Sequence, residues 1–152
     1  MRRKSTAQMD CSIARALDVV GEWWTLLIVR DLGINGVHRF DELQKSLGIA
    51  RNVLALRLQK LVDHEIVETR MYRERPERYE YYLSEKGRGL ASVLYALLEW
   101  GDRWTRDGTP PPVRIEHAVC GHSLVTTLSC PECKRIVPKE SRRLVRTASR
   151  LR

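Results

Sequence analysis

The sequence predicts a mainly α-helical fold with a small β-hairpin wing (α+β), followed by a small ribbon-like C-terminal extension. Three observations carry this. Residues 12 to 62 hold successive segments with helical apolar spacing. In "MYRERPERYEYYLS", residues 71 to 84, two Tyr-rich runs with strand-like alternation flank a proline-centred loop. "TRDGTPPP" then breaks all regular pattern ahead of a stretch rich in Cys and His.

Taken in order, "SIARALDVV" spaces Ile13, Ala16, Leu17 and Val20 by three and four, which is a helix period, and Gly21 ends it. "WWTLLIVRDL" is nearly apolar all round and reads as a buried central helix. "GINGVHRF" reads as a turn with a short extended piece, and "FDELQKSLG" as a short helix stopped by Gly48. In "ARNVLALRLQKLVDHEI", Leu54, Leu58, Leu61 and Val62 form one apolar stripe. Asn52, Gln59 and Lys60 turn away from it, Arg57 lies on its flank and Arg51 in the first turn, with no acid before Asp63. "IVETRMYR" and "RYEYYLS" are two strands, and one long helix is expected over residues 84 to 105, capped by Ser84.

That order, with "FDELQKSL" and "ARNVLALRLQKLV" joined by "GI", is a winged helix-turn-helix. The second of the two helices would enter a DNA major groove. The arginine-bearing hairpin is the wing, aimed at phosphates or the minor groove beside it. The expected contact residues are Arg39, Arg51, Asn52, Arg57 and Lys60, with Arg73, Arg75 and Arg78 on the wing. A small α+β domain with a solvated charged loop is the plainer alternative, since Glu74, Glu77 and Glu80 are interleaved with the arginines.

Composition agrees without deciding the matter. At 152 residues the chain can hold one cored domain plus an appendage. No apolar run reaches the roughly 18 residues that span a bilayer, and the basic "MRRKSTAQMD" leads into no apolar signal core. A cytoplasmic protein with its four cysteines reduced is therefore expected, with no membrane partner. The net charge is +8, but residues 1 to 105 hold 17 Lys and Arg against 15 Asp and Glu, and residues 106 to 152 hold 10 against 4. The case for nucleic acid thus rests on where the charges lie. No Gly-rich phosphate loop, paired carboxylates or Ser/His/Asp set is present, so no enzyme is expected.

"CSIARALDVVGEWWTLLIVRDL", "HRFDELQKSLGIARNVLALRLQKL" and "PERYEYYLSEKGRGL" together resemble the HxlR-type winged-helix transcription regulators of bacteria. The likeness runs unbroken over about residues 10 to 104. It implies a homodimeric, cytoplasmic DNA-binding repressor or activator that answers to electrophiles, oxidants or small metabolites. Three positions depart from the family pattern. Trp23 replaces a basic or small polar residue. Ala50 replaces a Ser or Thr cap on the recognition helix, and His64-Glu65 replaces a glycine-containing turn.

Cys11 sits just before the first helix, where amides and the helix dipole can favour thiolate. In the family it resembles, several members sense oxidants from that position, so Cys11 is the redox-sensing candidate; burial as a small apolar residue at a dimer seam is the alternative. The extension carries His117-x-x-Cys120-Gly121 and Cys130-x-x-Cys133-Lys134, with nine residues between the two half-sites. His117, Cys120, Cys130 and Cys133 make an acceptable tetrahedral zinc set, with His122 competing as the fourth ligand. A Cys130–Cys133 redox pair, or a ribbon packed without metal, is the alternative.

Leu90, Val93, Leu94, Leu97, Gly101 and Trp104 line one face of the closing helix, and Ala91, Tyr95 and Leu98 another. One face can serve the core; the other asks for a second copy of the chain, hence a dimer on an inverted-repeat operator. A small-molecule effector could sit between such helices, with Trp23, Trp24, Trp100 and Trp104 as walls. The expected organisation is a DNA-binding and dimerisation domain over 10–105, a linker at 106–112, a Cys/His module over 113–138 and a basic tail over 139–152. The rival from another class is a winged-helix adaptor that contacts protein through the ribbon and does not bind DNA.

Overall fold

The computed structural model describes residues 9–145, so residues 146–152 of the basic tail lie outside the described residues. The chain forms two compact units, one running to Leu97 and the other beginning at Leu98. The first holds α1 (Ser12–Val20), α2 (Trp23–Gly33), α3 (Phe40–Leu47), α4 (Arg51–Asp63), β1 (Val67–Glu74), β2 (Glu77–Leu83) and α5 (Glu85–Arg88). Helix α6 (Ala91–Trp104) carries the division within it, rather than in the proline-rich segment that follows.

The core of the first unit is one apolar cluster. Ile28, Val29 and Leu32 of α2 meet Leu43 of α3, Leu54, Leu58 and Leu61 of α4, and Ile66 and Val67 at the base of the hairpin. The stripe on α4 is buried as its spacing predicts, and α2 touches α1, α3, α4 and β2, as a central helix should. Gly48 ends α3 in the left-handed region at φ 63°, which frees the chain to turn sharply into α4. β1 and β2 pair antiparallel, and an isolated bridge between Arg39 and Glu80 adds the extended piece before α3 to the same sheet.

One buried carboxylate knits α2, the turn that follows it and α3 together. Asp31 of α2 is fully buried; it accepts from Arg30 Nε at 2.8 Å, Asn35 Nδ2 at 2.7 Å and Ser46 Oγ at 2.7 Å. Ser46 lies on α3, so this cluster clamps the first helix of the turn to the central helix.

The single closing helix expected over 84–105 is instead two. Ser84 Oγ accepts from Gly87 N, as a cap should, but the chain tightens at Gly89, with Leu90 N bonded to Gly87 O. Two glycines within one turn weaken the helix, and the close approach of Gly87 to the sheet fixes the break there. A Cβ on Gly87 would lie 2.2 Å from the Ile66 carbonyl oxygen, so no larger residue fits.

The turn into the hairpin is strained as the missing glycine suggests. Glu65 holds φ 57°, a left-handed conformation that costs a non-glycine residue roughly 1–2 kcal/mol. Its neighbours offset the strain: Ser84 Oγ donates to the Glu65 carbonyl at 2.6 Å, and Lys86 Nζ to the His64 carbonyl at 2.6 Å. Glu65→Gly is therefore expected to raise the unfolding free energy by about 0.5–1 kcal/mol, part of the relieved strain being spent on glycine's larger entropy loss. Denaturant unfolding checks this; a loss of stability would show the Glu65 side chain to be held by something other than its backbone.

Candidate nucleic-acid interface

Two surfaces of the first unit carry exposed polar and basic side chains. One is the outer side of α4, where Asn52, Gln59 and Lys60 are exposed, Gln59 Nε2 donating to Asp63 Oδ1 at 2.8 Å. The other is the hairpin. At the start of α3 and α4 lies a polar cleft of about 470 Å³, where Arg39, Arg51 and Arg78 are joined by Asp41, Glu42 and Glu77 and by Phe40, Tyr72, Tyr79 and Tyr81. This cleft is where helix and wing converge.

Arg51 stands at its entrance. Ala50 gives α4 no side-chain cap, as its identity predicts. The Arg51 guanidinium lies over the Phe40 ring, 4.8 Å from its centroid, and donates weakly to the exposed Asp41 at 3.4 Å. Stacking pre-orients the group and leaves its outer donors open.

Arg39 is held more firmly. Its Nε donates to Glu80 Oε1 at 2.9 Å, and its guanidinium lies 4.7 Å from the Tyr72 ring centroid. Glu80 also accepts from Tyr82 Oη at 2.9 Å, and that bond, followed by the one from Arg39, holds the Glu80 carboxyl below the usual range. The same arrangement pushes the Tyr82 hydroxyl and the Arg39 guanidinium up. His38 stacks on Tyr82 at 4.3 Å, and its Nδ1 lies 3.0 Å from the Tyr81 carbonyl oxygen, an acceptor, so this nitrogen carries the proton. The base of the wing is thus a braced polar layer.

The tip is the opposite. Arg73 and Arg78 face each other as ladder partners, leaving only Arg75 and Pro76 in the turn. Like charges directly opposed destabilise a hairpin, and the next pair, Glu74 opposite Glu77, sets two acids beside the two arginines. Glu77 is drawn aside by Tyr79 Oη at 2.9 Å, and Arg73 Nε turns to the Arg75 carbonyl. Neither Arg75 nor Arg78 has an ion-pair partner among the described residues.

Arg57 is placed differently from the open flank expected of it. Its Nη2 lies 3.2 Å from Glu22 Oε2, its side chain is only 15% exposed, and its Nε is buried without a partner. It ties α4 to the residue that precedes α2. That partner is far away in sequence, so spacing alone gave no sign of it. Asp31 was missed for a related reason: one acid in an apolar helix gives no sign of what it will clamp.

Cys11 is the N-cap residue of α1, partly buried and unpaired with any other cysteine, which is where its position before the helix placed it. Trp23 and Trp24 meet edge to face at 6.4 Å, Trp24 resting on the core and Trp23 largely exposed. Trp100 and Trp104, in the second unit, are both largely exposed.

In the second unit, His117 Nδ1 lies 3.1 Å from Cys120 Sγ. Backbone N–H groups of Cys133 and Glu132 donate to Cys130, with the Cys133 side chain adding a third bond, and together they hold the Cys130 thiol below the usual cysteine range. Among the described residues no three of His, Cys, Asp and Glu are gathered to hold one ion. Nor is any described helix long and apolar enough to cross a membrane.

Comparison with known proteins agrees with this geometry. Residues 19–109 match the family model described as HxlR-like helix-turn-helix. An uncharacterized HTH-type transcriptional regulator of Mycobacterium tuberculosis is 41% identical over 122 residues, covering 80% of this chain and 77% of that protein. The crystal structure of PA1607, a candidate transcription factor, superposes with a TM-score of 0.80 at 35% identity, covering 95% of this chain and all of that one. The redox regulator HypR, in its oxidized form, gives a TM-score of 0.53 at 33% identity over 61% of this chain and 96% of its own. HypR thus matches little beyond the winged part, whereas PA1607 extends over the second unit as well.

Proposed function

The chain belongs to the HxlR-like helix-turn-helix family, and from that premise we propose that it is a homodimeric, cytoplasmic repressor released from an inverted-repeat operator by an oxidant or electrophile. It is a DNA-binding transcription regulator of the winged-helix type and not an enzyme. The observation that supports the DNA contact is the cleft shared by Arg39, by Arg51 at the start of α4 and by Arg78 of the wing. Asn52, Lys60 and Arg51 are placed to reach base edges, while Arg75 and Arg78 are free to take phosphates. Arg57, tied to Glu22, supports the helix instead.

Repression follows most directly from occupancy, since a bound dimer covers the DNA it reads. The response to oxidants is supported by Cys11 at the N-cap of α1 and by the likeness to a regulator named for redox control. The second reading of Cys11, as a small apolar residue at the dimer seam, is separated from this one by the same experiment.

Selection of duplexes by the full chain should return an imperfect inverted repeat. On that site Arg51→Ala is expected to lose about 1–3 kcal/mol and relax the preference for one base. Arg75→Ala and Arg78→Ala should weaken binding evenly across sequences and each lower the salt slope by about 1. If these substitutions and Lys60→Ala all left affinity unchanged, the interface would be misplaced. Peroxide should release the wild-type protein from DNA and leave Cys11→Ser bound; equal release of both removes Cys11 as the sensor.

A further inference from the structure

Residues 113–138 keep an ordered backbone without a single buried side chain. Val113, Val119, Val125, Leu128 and Ile136 are all more than half exposed, and only Ile115, Cys130 and Val137 are even partly covered. A segment this small, with no apolar core, has no hydrophobic reason to hold a defined shape.

What it has is one backbone figure made twice. In the first copy His117 N bonds to His122 O, Gly121 N to His117 O and Leu124 N to Ile115 O, with a bridge between Glu116 and Ser123. In the second, Cys130 N bonds to Arg135 O, Lys134 N to Cys130 O and Val137 N to Leu128 O, with a bridge between Ser129 and Ile136. Each of these three bonds and the bridge has its counterpart at the same offset; Cys120 N to His117 O, at 3.2 Å, is found in the first copy alone among the described residues. The left-handed residues also correspond: Gly121 at φ 70° and Lys134 at φ 58°, each just after the second donor residue of its turn. A lysine forced into that conformation shows that the figure is held even where its sequence opposes it.

The correspondence aligns the side chains. His117 falls on Cys130, Cys120 on Cys133, and His122 on Arg135. Two matched turns therefore present a metal-ligating residue at each equivalent place, and the histidine that repeats a ligand position is His117. In both turns the donors already lie together: His117 Nδ1 beside Cys120 Sγ, and Cys133 bonded to Cys130, whose sulfur receives backbone N–H groups.

We propose that His117, Cys120, Cys130 and Cys133 bind one zinc ion per chain, and that the ion draws the two turns together as the missing core of this segment. Each turn supplies two donors, and a closed structural site takes four in a tetrahedron. The donors of the two turns are not gathered into one group, as befits a site whose closure is coupled to the binding of the metal. Binding removes the protons of the three thiols, so the site gains one net negative charge from three thiolates against a divalent cation. Lys134 and Arg135, directly after Cys133, stand ready to balance it. Zinc suits the mixed sulfur and nitrogen set and is inert to the oxidants assigned to Cys11.

The test uses the full chain purified under reducing conditions without chelator. Elemental analysis should find about one zinc per chain, and replacement by cobalt should give the intense thiolate-to-metal absorption of a tetrahedral site. Cys130→Ser should remove the metal, His117→Ala should weaken its retention through gel filtration, and His122→Ala should keep it. Cys130→His, which restores a fourth donor, should recover binding, so that a collapse of Cys130→Ser cannot be mistaken for loss of a ligand. Absence of metal from the wild-type protein, with no cobalt absorption on titration, would overturn the proposal. Loss of two hydrogen atoms from the mass of such metal-free protein after exposure to air, mapped to the peptide that holds Cys130 and Cys133, would instead assign that pair to a disulfide. Retention by His117→Ala with loss in His122→Ala would overturn the ligand set.

Discussion

Asp31→Ala should lower the unfolding free energy by about 3 kcal/mol and the melting temperature by more than about 10 °C. The carboxylate is wholly buried and accepts from Arg30, Asn35 and Ser46 at once. Alanine takes from the Ser46 hydroxyl and the Asn35 amide the carboxylate oxygens to which they donate, each loss costing about 1–3 kcal/mol, and leaves the Arg30 guanidinium short of its nearest anion. Arg30 is 39% exposed and can turn to water, so its share of the loss is the smallest. Ser46→Ala removes one bond and leaves the other two, so about 1 kcal/mol is expected from it. Because Ser46 rides on α3, the same change should loosen the helix-turn-helix relative to α2 and weaken DNA binding in the protein that remains folded. Denaturant unfolding beside duplex binding at low temperature measures both. A loss under 1 kcal/mol for Asp31→Ala would show that the clamp contributes little and that apolar packing alone positions α3.

The parts of this fold that could be read from the chain are those whose cause is local. The stripe of Leu54, Leu58 and Leu61 and the Gly48 turn lie in short stretches of sequence, and the structure repeats them. Tyr-rich alternation likewise gave the hairpin, and the uncapped Ala50 and the strained Glu65 followed from residue identity. What could not be read depends on distant partners. Arg57 looked free until Glu22 arrived beside it from the start of α2. Gly87 and Gly89 looked tolerable inside a helix until the Ile66 carbonyl pressed against one of them. The apolar faces of the closing helix were also divided wrongly. Leu90 and Leu94 rest on the core, whereas Val93 and Leu97, assigned to the same face, stand exposed. Spacing alone does not say how far a helix is rolled toward its neighbours.

Exchanging those two exposed residues for charge should take the regulator apart: Val93→Glu with Leu97→Glu is expected to weaken dimerisation by more than about a thousandfold. Helix α6 is fourteen residues long and buries none of them within one chain, although Val93, Tyr95 and Leu97 are large and apolar. Leu94 rests on the core, but Val93, Tyr95 and Leu97 lack the packing that holds most protein helices in place, so a second copy is the cover that fits. Helix α1 presents Ile13, 71% exposed, and Leu17 in the same unsheltered state. At roughly 1.5 kcal/mol or more per aliphatic side chain removed from water, two residues from each subunit supply about 6 kcal/mol, well over three orders of magnitude in the dissociation constant. Because both positions are exposed in the single chain, the thermal stability of the first unit should stay within about 1 kcal/mol of wild type. Operator affinity should nevertheless fall by about 10²–10⁴, since each half-site would then be bound without the gain from its linked neighbour. A single half-site should still be bound as before. Light scattering at micromolar concentration reads the mass, and titration of full and half operators reads the coupling. A variant that remained dimeric, or a wild-type chain that was monomeric and yet bound one compact site, would place the seam elsewhere or remove it.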